Sequence, residues 1–172
     1  VQLRRLLHRL LARLECHAFS NAELKAFEAW VDGGGTMIAT CDHPAFDAVC
    51  AHFGHPATNS SVNPHAPTAQ GSDHPIFDGP FGVAASLFMG GTQGLFADTT
   101  GATIMAVDSG GLPTVLFRHQ GAGRVILYAD VDMISNQNLS AGTGIANDND
   151  RFLANQFAFA GSAPAVVNTF DI

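Results

Sequence analysis

The sequence has few charged residues and no long apolar run. Charged residues make up 13% of the chain, about half the usual share, whereas hydrophobic residues make up 47%. Disorder driven by charge and low hydropathy is therefore excluded, and 172 residues suffice for one domain with a real core. No uncharged apolar run approaches the roughly 18 residues that span a bilayer, so we expect a soluble chain with no membrane partner.

Basic residues are scarce, and half of them lie at one end. Four of the eight Lys and Arg residues fall in the first thirteen positions, so the rest of the chain carries four basic against 15 acidic side chains. A body of that charge repels phosphate backbones, which argues against nucleic acid as a partner.

Residues 1–19 predict an amphipathic helix with leucines on one face and arginines on the other. The arginines and His8 interrupt any apolar core of a signal peptide. We expect the leucines to pack on the domain or on a second copy of the chain, which would make a homo-oligomer. Nothing else in the sequence indicates the compartment.

Several recognised motifs are missing. The three cysteines form no CxxC pair and cannot all pair within one chain, which argues against a disulfide scaffold. No Gly-x-Ser-x-Gly elbow is present, so Ser72, Ser109 and Ser140 have no serine-hydrolase context. Residues 33–35 are glycines that follow a helical pattern, the reverse of the order in a phosphate-binding loop. We therefore predict no cofactor.

The patterns that are present predict an α/β fold with a parallel sheet. Ser20 to Glu23 reads as a capping box at the start of a helix, and the glycines at 33–35 end that helix. The uninterrupted apolar run at 36–40 predicts a buried strand, and Pro44 suits the first turn of the helix that follows. Helix, buried strand and helix in this order are typical of α/β architecture.

Antiparallel strands are predicted further along the chain. The segments 102–107, 114–119 and 124–129 read as strands, and the turn at 120–123 makes the last two a hairpin. Two long polar segments, 55–73 and 130–148, read as loops, and the second is followed by an apolar helix.

The stretch SNAELKAFEAWVDGGGTMIATCDHPAFDAVCAHFG resembles the helix, glycine turn, strand and elbow of the class I glutamine amidotransferase-like superfamily. The segment HPIFDGP is similar to one in ThuA-type members. The stretches GAGRVILYADVDMISN and NDNDRFLANQFAFA are similar to the end of GldG-type and uncharacterised members. The resemblance implies a flavodoxin-like three-layer sandwich over residues 20–172, with an added antiparallel hairpin. Residues 1–19 do not resemble the strand, helix and strand with which members usually begin.

The resemblance places Cys41 where amidotransferases and PfpI-type proteins carry a nucleophilic Cys. A thiol before a helix N-terminus has its pKa lowered by the helix dipole, and the following amides can form an oxyanion hole. His43 stands where the family usually has Gly. The family His-x-Glu is replaced by Asp130-Val131-Asp132, so His43, His74 or His119 would have to act as the base. Cys50 reads as a buried packing residue.

Polar residues cluster where the predicted strands end and the long loops begin. In open α/β sheets ligands bind at the carboxyl ends of the strands. We predict Cys41, His43, His74 and Asp130 as catalytic residues around one cleft. The predicted ligand-binding residues are Asp42, Asp132, Asn147, Asp148 and Asn149. No spacing matches a metal motif, and the alternative is that Asp42, and Asp148 or Asn149, cap helices while the His side chains are exposed loop residues.

Two functions remain open from the sequence. The first is a small hydrolase acting on an ester, amide or sugar-type substrate, with Cys41 as nucleophile and a His as base. The second is a non-catalytic amidotransferase-like module that binds a carbohydrate or a partner protein. The ThuA-type resemblance implies sugar utilisation, which favours a carbohydrate as the small-molecule ligand.

Overall fold

The computed structural model describes residues 19–41, 44–59, 61–90, 94–142 and 144–162. The predicted helix at 1–19 lies outside these ranges except for Phe19. The bounds of the helices are α1 (Asn21–Asp32), α2 (Pro44–His52), α3 (Ala69–Ser72) and α4 (Asp148–Gly161). The strands are β1 (Thr36–Thr40), β2 (Ala57–Asn59), β3 (Ala66–Pro67), β4 (Asp78–Gly79), β5 (Gly82–Val83), β6 (Gly94–Phe96), β7 (Thr103–Val107), β8 (Pro113–Gln120) and β9 (Gly123–Tyr128).

The main sheet has five strands in the order β1-β9-β8-β7-β3. Strands β1 and β9 are parallel, with Thr36 opposite Arg124 and Thr40 opposite Tyr128. The pairs β9-β8, β8-β7 and β7-β3 are antiparallel. The predicted parallel pair, the hairpin and the α/β class are confirmed, but the described sheet is mostly antiparallel. Two small sheets, β2-β6 and β4-β5, stand beside it.

Apolar residues cover both faces of the main sheet. One core lies under α1 and α2, and includes Val31, Phe53 and Leu127. The other lies under α4, and includes Phe77, Tyr128 and Phe152. Because side chains alternate along a strand, the even-numbered residues of β1 and β9 belong to the α4 face and the odd-numbered ones to the α1 face. The molecule is therefore a helix, sheet and helix sandwich.

Local sequence signals account for the ends of several elements. Ser20 and Glu23 form the predicted capping box of α1. The β8-β9 turn uses Gly121 at a φ of +55°, and a Cβ on Gly123 would come within 2.0 Å of the Val31 carbonyl oxygen. The glycines of this turn therefore allow the hairpin to lie against the end of α1.

The expectation of a structureless segment at 55–73 is wrong. It contains β2, β3 and α3, and Nδ1 of the buried His55 donates a hydrogen bond to the Asp98 carbonyl oxygen at 2.9 Å. Strands of two or three residues leave too few positions for an alternating pattern to be visible in the sequence.

Candidate functional site

Two of the predicted catalytic residues lie at the carboxyl end of the parallel pair. The amide of Cys41, directly after β1, donates to the carbonyl oxygen of Tyr128, the last residue of β9, at 3.0 Å. Asp130 follows β9 by two residues. Cys41 and Asp130 are therefore at the same end of neighbouring strands. Asp42 and His43 lie outside the described residues.

Cys41 is joined to Cys50 by a disulfide that ties the end of β1 to α2. Both residues are buried, Cys41 with 1% of its surface exposed and Cys50 with none. This single bond was not predicted, because the sequence argues only against a disulfide scaffold. The elbow brings the two Cα atoms to 5.6 Å, within the range that a disulfide spans. A sulfur in this bond has no thiolate, so Cys41 cannot act as a nucleophile while the bond is intact.

Asp130 and Asp132 belong to the turn that leaves the sheet. The buried Asp130 caps a 3-10 helix, Val131–Ile134, and its Oδ1 accepts from the Asp132 amide at 2.7 Å. The Asp132 carbonyl oxygen accepts from Asn138 Nδ2 at 2.6 Å. Both residues thus organise the loop that starts here. Their predicted catalytic and binding roles stay predictions.

The polar run at 147–150 holds α4 to its surroundings. Asn147, rather than Asp148 or Asn149, is the N-cap, and it forms a capping box with Asp150. Asp148 accepts from the amides of the 85–86 segment and pairs with Arg151 at 2.6 Å. The buried Asn149 donates to the carbonyl oxygens of Phe88 and Met133 and accepts from the Phe88 amide. These side chains already have protein partners, and their predicted ligand binding stays a prediction.

A groove of about 330 Å³ lies between α4 and the loop that precedes it in the chain. Its walls combine apolar side chains with a few polar ones. The lining residues are Leu139, Ser140, Gly142, Gly144, Ile145, Asp150, Leu153, Ala154 and Phe157. Phe157 is 65% exposed and Ile145 is 41% exposed, so the apolar groups are open to solvent.

Asp150 holds the two walls of the groove together. Its Oδ1 accepts from the Ser140 amide at 2.9 Å, and its Oδ2 accepts from the amides of Ala146 and Asn147. Burial raises the pKa of this carboxyl, but the hydrogen bonds from Ser140, Ala146 and Asn147 outweigh it and lower the pKa to about 2. The carboxylate is therefore charged at neutral pH.

His74 does not join Cys41 and Asp130. Its ring packs on Phe117 and Phe159, with centroids 4.8 and 4.9 Å away. Arg124, whose charge lowers the pKa of His74, is the second residue of β9. Six residues of extended chain, about 20 Å, separate that position from Asp130. His119 pairs with Arg124 across β8 and β9 and is equally far from Cys41. Neither histidine can therefore serve as a base for Cys41 in this arrangement.

The environment of His74 favours its neutral form. Burial lowers its pKa, and the positive charges of Arg124 and His119 lower it further. Its Nδ1 accepts a hydrogen bond from the Ile76 amide at 3.3 Å, which leaves the ring hydrogen on Nε2. Nε2 is thus a hydrogen-bond donor on the α4 side of the sheet.

Sequence reasoning missed the groove and the surroundings of Arg124. The groove residues on α4 occupy the side of the helix opposite the buried Phe152 and Gln156. A second apolar stripe on an otherwise amphipathic helix, at Leu153 and Phe157, is the signal that could have indicated it. Arg124 was read only as part of a strand.

Two further features concern the described residues as a set. No helix in the described ranges has the length and hydropathy to cross a bilayer. In the same ranges, no three His, Cys, Asp or Glu side chains come together in an arrangement that could hold a metal ion.

No family model matches this sequence, and no curated protein matches it. Solved structures with a similar fold include a cold-adapted β-galactosidase from Rahnella sp. R3, with a TM-score of 0.52 and 14% identity. The match covers 79% of this chain and 20% of that one. The cytoplasmic protein STM3548 from Salmonella typhimurium is similar with a TM-score of 0.51 and 13% identity, over 81% of this chain and 60% of that one.

A third similar structure is the exo-β-1,4-mannosidase Op5Man5 from Opitutaceae bacterium strain TAV5. Its TM-score is 0.44 at 21% identity, over 67% of this chain and 19% of that one. The chain thus spans about a fifth of each glycosidase and less than two thirds of STM3548. At these identities the similarity to the β-galactosidase and to STM3548 is one of fold.

Proposed function

We propose that this chain is a non-catalytic α/β binding module for a carbohydrate-type ligand, with the groove between residues 139–145 and α4 as its binding site. The observation that carries the proposal is the Cys41–Cys50 disulfide, which removes the thiolate at the one elbow where the sequence indicates a nucleophile. His74 lies at the other end of the sheet from Cys41, which also supports a module without catalytic activity. The proposal keeps the flavodoxin-like, amidotransferase-like class suggested by the sequence.

The composition of the groove suits a sugar ring. Small-molecule sites combine apolar and aromatic walls with a few polar groups that fix orientation. Phe157 offers an exposed ring face for the C–H face of a sugar. Ser140 lies on the same groove, and its hydroxyl oxygen can accept a hydrogen bond from a sugar hydroxyl group.

The similar β-galactosidase supports the carbohydrate class through its fold and its name alone. The match covers a fifth of that enzyme, which indicates that this fold occurs as one part of a larger sugar-acting chain. A module that binds carbohydrate without hydrolysing it fits such a part.

A second candidate is a cysteine hydrolase that acts only when the disulfide is reduced. The position of Cys41 favours it, because the residue directly follows β1 and comes shortly before α2, whose N-terminal amides could stabilise a thiolate. In that case His43 is the remaining candidate base, because His74 and His119 lie at the other end of the sheet from Cys41.

A binding assay with galactose, mannose, β-1,4-mannobiose and β-galacto-oligosaccharides tests the proposal. We expect saturable binding by calorimetry to the oxidised protein, and a loss of at least about tenfold in affinity in Phe157→Ala, as for a buried aromatic contact. Trp30→Ala is the matched control, because Trp30 is 52% exposed and lies on α1 in the opposite layer.

The same panel separates the two candidates. Hydrolysis of an ester, amide or glycoside that appears on reduction and disappears in Cys41→Ser would establish the hydrolase and overturn the binding module. Failure to bind any sugar of the panel would remove the carbohydrate assignment.

A further inference from the structure

A row of polar side chains crosses the amino end of the β1-β9 pair, away from the groove. Thr36 on β1 is in register with Arg124 on β9, and Arg124 pairs with His119 on β8. Paired residues on adjacent strands point to the same face, and here that is the α4 face, with Ile38 and Ile126 next in line. Three neighbouring strands therefore present a hydroxyl, a guanidinium and an imidazole side by side.

Two atoms in this row are buried without a partner among the described residues. They are the hydroxyl oxygen of Thr36 and Nη2 of Arg124. Buried polar atoms in native proteins almost always have partners, and an unsatisfied one indicates a strained site or a missing ion or water. Here two such atoms stand on adjacent strands at the same register position, which indicates one shared partner.

Arg124 has no anionic partner within the described ranges. The ion pairs there are His52 with Glu28 and Arg151 with Asp148. The guanidinium instead lies on the ring of Phe159, with Cζ 4.2 Å from the centroid. Stacking on the ring face leaves the in-plane N–H groups of the guanidinium free to donate.

His74 and His119 flank the guanidinium. His119 is exposed and its ring makes an edge contact with Phe117 at 5.1 Å. His74 packs on both Phe117 and Phe159, and its Nε2 carries a hydrogen. Around the Phe117 and Phe159 rings, the Arg124 guanidinium and His74 Nε2 are donors alone, and the Thr36 hydroxyl and the His119 ring can each donate a hydrogen bond. An oxyanion can accept from all four groups, and a hydrogen bond from the guanidinium to an anion is stronger than one to a neutral acceptor such as water.

We infer that the amino end of the sheet holds an oxyanion site, in which Arg124, Thr36, His119 and His74 bind a phosphate or carboxylate group over the rings of Phe117 and Phe159. The site is separate from the groove and independent of the proposed carbohydrate binding. The site is locally positive, although the whole chain has a net charge of −7. The overall electrostatic field therefore does not attract anions, and binding depends on the residues of the site itself.

The charged groups around the site favour binding at mildly acid pH. On β8 and β9 they are His119 and Arg124, and the acidic residues of α4, at 148 and 150, lie in its first turn, more than two turns from Phe159. Asp73 is exposed beside His74 in the chain. Protonation of His74 adds a positive charge beside an anion, so affinity for acetate, whose own charge stays constant over this range, should rise as pH falls from 8 to 6.

Titration of the full chain with inorganic phosphate and with acetate, at fixed ionic strength, tests the inference. We expect saturable shifts of the His74 and His119 ring signals in nitrogen-detected NMR with both anions, and tighter binding of acetate at pH 6 than at pH 8. Arg124→Gln should weaken binding by at least about tenfold and Thr36→Val by a smaller factor, the size of one lost hydrogen bond. Lys25→Gln, which removes an exposed cation on α1, should leave binding unchanged.

The same variants can also show that the oxyanion site does not exist. Equal weakening in Arg124→Gln and Lys25→Gln would show that phosphate and acetate respond only to overall charge, and would overturn the inference. Ring signals that do not move with either anion would do the same. If Arg124→Gln fails to fold by circular dichroism, the exposed His119→Gln and the isosteric Thr36→Val carry the comparison. Saturation by phosphate alone identifies a phosphoryl group, and saturation by both anions identifies a general oxyanion.

Discussion

The two ends of the central sheet use their polar side chains differently. At the carboxyl end, Asp130, Asn149 and Asp150 bind backbone amides and carbonyls of the loops that leave the sheet, and the Cys41–Cys50 disulfide closes the elbow. At the amino end, Arg124 and Thr36 keep buried atoms without a partner in the described ranges. Polar groups that have protein partners stabilise the fold, whereas groups that lack them are available to a ligand.

This comparison reverses the usual expectation for an α/β sheet. Ligands normally bind at the carboxyl ends of the strands. In this chain the carboxyl end carries residues that the sequence predicts to be catalytic, but their side chains make structural contacts. The groove lies outside this set of contacts.

The largest effect is expected at Asn149. Asn149→Ala removes a buried amide that makes three hydrogen bonds and leaves the Phe88 and Met133 carbonyl oxygens without their donor. We expect a loss of about 3 kcal/mol in the free energy of unfolding, measured by urea denaturation. Asn136→Ala, at an exposed position of the neighbouring loop, should change it by less than about 0.5 kcal/mol. Equal values for the two variants would remove the structural role of the carboxyl end.

Reduction of the disulfide should have the next largest effect. The bond closes a loop with a sequence separation of 9, and chain-entropy arguments give about 2–3 kcal/mol for such a loop. Cys41→Ala with Cys50→Ala should therefore unfold at lower urea, and reductant should lower the stability of the native chain but not of the double variant. Three free thiols in the untreated protein, by thiol titration under denaturing conditions, would contradict the bond.

Asp150→Asn should have a smaller effect that depends on pH. The pKa of this carboxyl is about 2 in the folded chain, below the ordinary value of 3.8, so the folded state binds fewer protons between these values. The stabilisation is fully present above about pH 4 and is lost as pH falls toward 2. We expect the variant to lose about 1 kcal/mol at pH 7 and to unfold with a weaker acid dependence. An unchanged acid unfolding curve would count against this role of Asp150.

The smallest effect is expected from His74 at the amino end. Its pKa is lowered in the folded chain by burial and by Arg124 and His119, so below its ordinary value of 6.5 the unfolded chain binds more protons. Stability should therefore decrease as pH falls from 6.5 to the folded pKa, and His74→Gln should remove that slope. Phosphate should reduce or invert the slope in the native chain, because a bound anion favours the protonated ring. A slope that phosphate leaves unaltered would weaken the contrast between the two ends.

Short-range signals in the sequence predicted much of the fold. The Ser20 and Glu23 capping box, the glycines after α1 and the apolar run at 36–40 each depend on neighbours within a few residues. The hairpin of β8 and β9 depends on one glycine turn. Such patterns can be read because the physical cause lies within the same segment. The short strands between residues 57 and 96 were missed because their stability comes from partners distant in the chain.

The candidate site was predicted less well, for a related reason. The sequence indicated correctly that Cys41 and Asp130 follow buried strands. It gave no sign that Cys50 would meet Cys41, that His74 would pack near Arg124, or that Phe157 would face outward into a groove. Each of these depends on the position of one element relative to another.

Local patterns are therefore enough to predict the α/β class, the main helices and the parallel and hairpin strands, since capping, turn chemistry and apolar runs act within a few residues. Which polar side chains have partners depends instead on contacts that form only in the tertiary structure. Whether a carboxylate, guanidinium or thiol is free depends on what packs against it. Backbone amides of the loop before α4 satisfy Asp150, whereas no described residue satisfies Nη2 of Arg124. For this protein that distinction separates the structural end of the sheet from the end that is available to a ligand.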